Sequence, residues 1–202
     1  MAAMLKPVPL LLLLAAAPLA GGQVTAPPAR SAAAPAAPTA ESGHYSLEEI
    51  VTAADRAFSK GTAGLAKAIE RAFAENGQPN GYIVGREGGG AFGLGLRYGK
   101  GTLHSKVEGN RTVYWQGPSV GPDVGGDAST VFILVYDLHD TEELFRRYPA
   151  VEGRAYLVGG VSLGYHQRDS VRLVPVRLGA GWRIGASVGY LHFSKNRRIL
   201  PV

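Results

Sequence analysis

The chain has 202 residues, 28 of them glycine, a formal net charge of +5 and no cysteine. A disulfide-bonded core and a cysteine-linked lipid anchor are therefore excluded. Lys6, Arg30 and Glu41 are the only charged residues before Gly43, so the remainder carries a net charge of +4. This mildly basic balance favours an anionic surface as partner and does not require nucleic acid.

Residues 1–22 have the features of a secretory signal peptide. Lys6 supplies a positive charge, and residues 7–17 contain five leucines and three alanines. This apolar run suits a signal peptide and is too short to cross a bilayer. Small residues then permit cleavage before Gln23 or after Ala20. We predict export to the periplasm and a mature chain without a transmembrane segment; the alternative is an uncleaved amphipathic N-terminus.

Two helices are predicted after an unstructured segment. Residues 23–43 are rich in alanine and proline, which predicts a disordered, semi-extended tether. Ser46 and Glu49 then form a capping-box pattern at the start of the first helix, which is predicted to end near Gly61. The second helix is predicted to end at Asn76-Gly77. The apolar stripes of both helices indicate core faces that cover a sheet; the alternative is an amphipathic pair on a membrane surface.

From residue 82 onward apolar residues recur every second position, which predicts strands. Glycine-rich segments at residues 88–90, 99–101 and 179–181 are interpreted as turns, and a short helix is predicted from Asp140 to Pro149. About eight strands result, at residues 82–86, 91–98, 102–107, 112–116, 129–136, 153–167, 171–178 and 181–192.

The connections between these strands are short, which indicates antiparallel hairpins. Glycines on one face of two strands permit the bending that closes a small barrel. We therefore predict a mainly β (α+β) fold, a small antiparallel β-barrel of about eight strands preceded by two N-terminal helices. Pro175 lacks a ladder donor, so a bulge or a weak edge is expected there.

Two glycine motifs are typical of enzymes but stand in the wrong context. Residues 88–93 fit G-x-G-x-x-G, yet a strand pattern follows instead of the helix that a dinucleotide site requires. Residues 160–164 fit G-x-S-x-G with Ser162 as nucleophile, and His166, Asp169 and His192 are near in sequence. That motif requires a strand-to-helix turn, and a second match at residues 185–189 also falls in a strand pattern. A hydrolase that uses Ser162 is our third functional hypothesis.

The remaining candidate sites involve histidines and the C-terminus. The five histidines have no short metal-binding spacing, so a metal site would have to assemble in three dimensions; we predict no metal and no cofactor. Lys195, Arg197 and Arg198, followed by two apolar residues, form a basic tail. This tail is a candidate contact for anionic lipid or another envelope polyanion, and the alternative is a solvated, frayed end.

Six motifs lie in order along the chain. They are Pro79-Asn80-Gly81-Tyr82-Ile83, residues 95–101, residues 115–121, Gly125-Gly126-Asp127, residues 132–136 and residues 188–193. Together they resemble the envelope integrity protein A (EipA) family of alphaproteobacterial periplasmic proteins, over about residues 45–194. The resemblance implies a small β-barrel with N-terminal helices, secretion to the periplasm, a contribution to envelope integrity and no known catalysis. Residues 196–202 do not resemble the family's ending.

A more distant resemblance is to the SYLF lipid-binding domain. It rests on residues 91–96, 115–118, 132–134, 157–162 and 185–189. Because that domain binds lipid, this resemblance implies an alternative function at a membrane surface.

These observations lead to one principal prediction and one alternative. We predict a non-enzymatic periplasmic protein that supports envelope integrity and envelope stress resistance, with an unknown envelope component as partner and no nucleic acid. The alternative is a lipid-binding, SYLF-like module with anionic lipid as partner. The predicted organisation is a signal peptide at 1–22, a tether at 23–43, one barrel domain at 44–195 and a basic tail at 196–202. Whether the barrel encloses a cavity stays open.

Overall fold

The computed structural model describes residues 43–59, 63–123, 129–178 and 189–197, without the side chains of residues 90–94, 119–123 and 153. The predicted signal peptide and nearly all of the tether lie outside these residues. So do the predicted turn at 179–181, the first part of the last predicted strand, and Arg198 of the basic tail. The features expected in these segments stay predictions.

Two helices come first, α1 (Leu47–Phe58) and α2 (Ala63–Asn76). The predicted capping box is present: the Ser46 hydroxyl accepts from the Glu49 N–H at 3.2 Å, and the Glu49 carboxylate accepts from the Ser46 N–H at 2.7 Å. Gly77 follows α2 with φ of 80°, and its N–H donates to the Phe73 carbonyl at 2.8 Å. A left-handed glycine therefore ends α2, as predicted.

Strands follow, interrupted by one short helix. In the described residues they are β1 (Gly81–Ser105), β2 (Gly109–Asp123), β3 (Ser129–Tyr136), α3 (Thr141–Leu144), β4 (Arg147–Val158), β5 (Val161–Arg168), β6 (Val171–Leu178) and β7 (Tyr190–Ser194). Every pairing is antiparallel. The order β1-β2-β7-β4-β5-β6-β3 closes on itself, so the predicted antiparallel barrel with two preceding helices is confirmed.

β1 doubles back and supplies two neighbouring strands of the barrel. Its first arm, residues 81–87, pairs with β3, and its second arm, residues 91–105, pairs with β2. The arms lie against each other: a Cβ added to Gly85 would be 2.5 Å from the Lys100 carbonyl oxygen, and one added to Gly81 would be 3.3 Å from that of His104. Counted by arms, the described barrel has eight strands.

One predicted turn is wrong, and one turn in the structure was not predicted. The glycines at 99–101 lie inside the second arm of β1, because Gly99 is needed for close packing against Trp115 and not for a turn. Residues 153–167 form two strands, β4 and β5, instead of one. Gly159 and Gly160 separate them with φ of 54° and 80°, a backbone conformation that favours glycine and makes a tight turn.

Two further expectations are wrong. α3 ends at Leu144 rather than Pro149, because residues 147–149 pair with β7 as part of β4. Pro175 lies in β6 between β5 and β3, and the pairs Leu163↔Val176 and His166↔Leu173 keep one register on either side of it. Closure removes the edge that we expected at this proline, and the constant register excludes a bulge there.

The core has two layers. The apolar faces of α1 and α2 pack on the outer side of the barrel, as predicted, through a cluster that includes Ile50, Leu65, Ile69, Phe132, Leu163 and Val174. A second cluster fills the barrel interior and includes Ile83, Val113, Trp115, Ile133, Leu173, Leu191 and Phe193. In the described residues no helix has the length and apolarity to cross a bilayer.

Candidate functional site

The barrel interior holds a buried cluster of charged side chains. Glu87 at the end of the first arm of β1 is 1% exposed, and Arg177 of β6 is 3% exposed. The Arg177 guanidinium donates two hydrogen bonds to the Glu87 carboxylate, from Nε to Oε1 and from Nη2 to Oε2, the second at 3.2 Å. Trp115 Nε1 of β2 donates to Oε2 at 3.1 Å, and Arg97 Nη1 of the second arm lies 4.0 Å from Oε1. The cluster therefore joins both arms of β1 to β2 and β6.

The arginines keep the Glu87 carboxylate ionised. Burial alone would raise the pKa of Glu87, but the charge of Arg177, its hydrogen bonds, the charge of Arg97 and the Trp115 hydrogen bond lower it below its usual value. A buried carboxylate with these partners is stable, whereas loss of one partner from such a pair costs about 3–5 kcal/mol. The cluster links β1, β2 and β6 across the barrel interior.

Glycines of β1 make room for the indole that contacts Glu87. A Cβ added to Gly99 would overlap the Trp115 ring, and one added to Gly85 would lie 2.6 Å from Cη2 of the same ring. Because these positions lack a side chain, the indole lies flat against the β1 backbone and directs Nε1 at the carboxylate. The glycine-rich pattern thus serves packing of the interior as well as bending.

His166 of β5 is the other titratable group buried near the cluster. It is 3% exposed, and its Nδ1 lies 3.3 Å from the Tyr148 carbonyl oxygen, so Nδ1 carries the proton and donates. Burial first, and then the positive charges of Arg177 and Arg97, lower the pKa of His166 to about 3. The imidazole is therefore neutral at physiological pH and does not add charge to the interior.

The residues of the hydrolase hypothesis do not form a catalytic arrangement. Ser162 is the second residue of β5, after the Gly159-Gly160 turn, with no helix behind it. His166 is four residues further along the same strand, about 13 Å away at the usual rise. Asp169 is in the turn after β5, and His192 is on β7, which does not neighbour β5. These groups are near one another in the sequence but do not converge in the structure.

Of the three residues predicted to contact an anionic surface, Lys195 lies against α3. Lys195 Nζ lies 2.5 Å from Glu142 Oε2 and 5.4 Å from the centre of the Phe145 ring. Arg111 contacts the same Glu142 carboxylate at 3.0 Å, and the hydrogen bond from Lys195, followed by that from Arg111, lowers the pKa of Glu142. Arg197 is exposed, and Arg198 lies outside the described residues. An anionic contact at these three residues stays a prediction.

Among the described residues, no three His, Asp or Glu side chains are arranged as metal ligands. One shallow pocket lies beside α3 and the β5–β6 turn, lined by Glu143, Arg146, Tyr148, Arg168, Asp169, Ser170 and Val171. Arg146 and Arg168 both contact Asp169, at 3.5 and 3.7 Å. These are exposed ion pairs, which contribute little to stability.

Sequence reasoning did not find the Glu87 cluster. The first predicted strand stopped at Arg86, one residue short, and Arg177 was an ordinary strand position. Glu87 and Arg177 are 90 positions apart, so no local spacing signals their contact. The alternation of residues 91–98 did not reveal it either, because it places Arg97 on the face opposite the apolar residues, whereas the structure buries Arg97.

These features define a class: small, closed antiparallel β-barrels with a helix pair on one side and an interior occupied by side chains around a buried ion cluster. The sequence model of the Envelope integrity protein A (EipA) family matches residues 43–202. The chain belongs to this family.

A solved structure is also similar. It is the crystal structure of a beta-barrel-like, uncharacterized protein from Brucella abortus, 45% identical, with a TM-score of 0.74. The match covers 80% of this chain and 100% of that chain. The comparison with curated proteins gave no match. Family and neighbour agree with the barrel architecture, and the family associates the chain with the cell envelope.

Proposed function

We propose that this protein is a non-enzymatic periplasmic protein that supports cell-envelope integrity and envelope stress resistance through binding or a structural role. Its membership in the envelope integrity protein A family carries the proposal, because the match spans the whole described barrel. The signal-peptide features of residues 1–22 support the periplasmic location.

Two features support a role without catalysis. The groups of the hydrolase hypothesis do not converge: Ser162 and His166 lie about 13 Å apart along β5, and His192 lies on β7, which does not neighbour β5. Glu87, the most deeply buried carboxylate described, is engaged by Arg177 and Trp115 and kept from solvent. A carboxylate that is buried and paired in this way stabilises the fold and is not exposed to a substrate in solvent.

The test is genetic complementation in the host organism. Deletion of the gene should increase sensitivity to detergent and to cell-wall antibiotics, and the full chain should restore resistance. A matched chain that lacks residues 1–22, expressed at the same level, should not restore it. Normal sensitivity of the deletion strain would overturn the envelope role, and rescue by the chain without residues 1–22 would overturn the periplasmic location.

A lipid-binding module is the second candidate. The net charge of +4 after Gly43 and the SYLF resemblance favour it. Flotation with anionic and neutral vesicles at low salt separates it from the first candidate, because screening weakens surface electrostatics at high salt. The protein should float with anionic vesicles if this candidate is correct, and absence from both vesicle fractions removes it.

A further inference from the structure

Among the described residues, α1 and α2 leave one side of the barrel uncovered. The cluster beneath α1 and α2 draws on the first arm of β1 and on β3, β4, β5 and β6, and no residue of β2 or β7 belongs to it. The second arm of β1, β2, β7 and the start of β4 are consecutive neighbours in the barrel. Their outer side is therefore a continuous sheet surface that α1 and α2 leave uncovered.

Tyrosines and cations occupy this surface. Inward positions are known from the interior cluster, which includes Leu103, Val113, Leu191 and Phe193, so the alternate positions point outward. We name four of these outward residues, Lys100, Tyr114, Arg147 and Tyr190, the tyrosine face. Both cations are exposed and both rings are partly exposed.

Each tyrosine of this face has a cation beside its ring. Lys100 Nζ lies 5.7 Å from the centre of the Tyr114 ring, and the Arg147 guanidinium carbon lies 4.3 Å from the centre of the Tyr190 ring. Tyr114 is opposite Ser194, four residues from Tyr190, which places the two tyrosines about 13 Å apart along the strands. The face thus repeats one unit, an aromatic ring with a positive charge, at two places.

The charge of the tyrosine face selects an anionic partner. The outward positions of the second arm of β1, of β2 up to residue 118, of β7 and of residues 147–149 include no Asp or Glu. Lys100 and Arg147 are therefore not offset by a carboxylate on the same described surface. Two cations fixed on a rigid sheet attract anionic groups and orient them.

The rings select a sugar polymer among anionic partners. A tyrosine ring presents a negative face, which attracts the polarised C–H groups of a pyranose, and its hydroxyl adds a polar contact. A membrane surface would instead require exposed apolar anchors, and the exposed large apolar residues described, Leu47, Val107 and Leu157, are not on this face. An extended peptide would require a free sheet edge, which the closed barrel does not offer.

We propose that the tyrosine face binds an anionic polysaccharide, with Tyr114 and Tyr190 stacking on sugar rings and Lys100 and Arg147 contacting its carboxylate or phosphate groups. The proposal deepens the proposed function and rests on it, because the proposed function places the protein in the cell envelope, where such a polymer is met. The sheet is already ordered before binding, so the protein itself loses little conformational entropy when the polymer binds.

Affinity electrophoresis of the purified protein in gels that contain polygalacturonate tests the proposal. Mobility should fall with polygalacturonate and stay unchanged with neutral dextran. The variants Tyr114→Ala/Tyr190→Ala and Lys100→Glu/Arg147→Glu should each raise the apparent dissociation constant, obtained from the loss of mobility, by about tenfold or more, as expected for central contacts. Tyr114→Phe/Tyr190→Phe keeps the rings and should retain most of the binding.

Matched controls use the opposite side of the molecule. Lys67→Glu/Arg154→Glu makes the same charge change at exposed positions of α2 and β4, and Tyr156→Ala removes a partly exposed tyrosine that lies against Arg71. Both should bind within about twofold of the unchanged protein, because they do not touch the face. Thermal unfolding of every variant identifies loss of fold, and the Phe variant tests the rings without that risk.

Three results would overturn the proposal. They are absence of retardation by polygalacturonate, equal losses in the control and face variants, and flotation with phosphatidylglycerol vesicles without polygalacturonate binding. Because the assay needs no cellular phenotype, it separates the two claims. Binding with no envelope defect in the deletion strain refutes the proposed function alone, and an envelope defect without binding refutes this inference alone.

Discussion

Replacement of Glu87 by glutamine is the sharpest test of the contribution that the buried charged cluster makes to stability. The amide keeps the size of the side chain but removes the charge that faces Arg177 and, at 4.0 Å, Arg97. Two guanidiniums then stay buried beside an amide. Loss of one charge from a buried ion pair costs about 3–5 kcal/mol, out of a total stability of about 5–15 kcal/mol for a domain. In a domain of this size that corresponds to a fall in Tm of about 6–20 °C.

The assay is equilibrium urea unfolding, with Glu70→Gln as the matched control. Glu70 is exposed on α2, so its replacement should change the free energy of unfolding by about 0.5 kcal/mol or less. The double variant Glu87→Gln/Arg177→Met should recover part of the loss, because an apolar replacement of a buried pair removes the unmatched charge. A cost below about 1 kcal/mol for Glu87→Gln would refute the reasoning.

The same variant has a pH signature. The pKa of Glu87 in the folded protein is below its usual value, so its contribution to stability is complete above the unfolded pKa of about 4.3 and is lost as the pH falls through the folded pKa. Below pH 4, the free energy of unfolding of the Glu87→Gln variant should therefore change less with pH than that of the unchanged protein. An identical acid dependence in both proteins would contradict the assignment.

Three further predictions follow from single contacts. Gly99→Ala should destabilise the fold by about 1–3 kcal/mol through overlap with Trp115, while Gly43→Ala, where nothing lies within 4 Å, should be nearly neutral in the same urea assay. The pKa of His166 falls from 6.5 to about 3 on folding, so the unfolded chain binds more protons and stability should rise with pH between these values; this slope should disappear in His166→Gln, and its persistence would exclude His166 as the source. Ser46→Ala removes an N-cap and should cost about 1 kcal/mol in thermal unfolding; no change would show that the capping box does not contribute.

Local chemistry made part of the fold predictable from the sequence. Ser46 and Glu49 are three positions apart, and Gly77 directly follows the α2 residue Asn76, so the start of α1 and the end of α2 are each encoded within a few residues. The continuous apolar run of residues 131–136 predicts β3 in the same way, and both faces of this strand are buried in the structure. Closure of the barrel was predictable because short connections and recurrent glycines admit few other arrangements.

Long-range contacts were not predictable. Gly99 and Gly159 look alike in sequence, yet Gly99 gives space to Trp115 and Gly159 takes a left-handed turn conformation. Only the partner across the barrel distinguishes these two uses of glycine. Glu87 and Arg177 meet across 90 residues, and their contact depends on closure itself. The candidate site therefore emerges only when the strand order is known.

The central claim is that this member of the envelope integrity protein A family acts outside the cytoplasm. Osmotic-shock fractionation of host cells, followed by N-terminal sequencing of the purified protein, tests it most directly. The account predicts a shortened chain in the periplasmic fraction that begins at Gly21 or Gln23. Recovery of the chain from the cytoplasmic fraction with residue 1 still in place would contradict it.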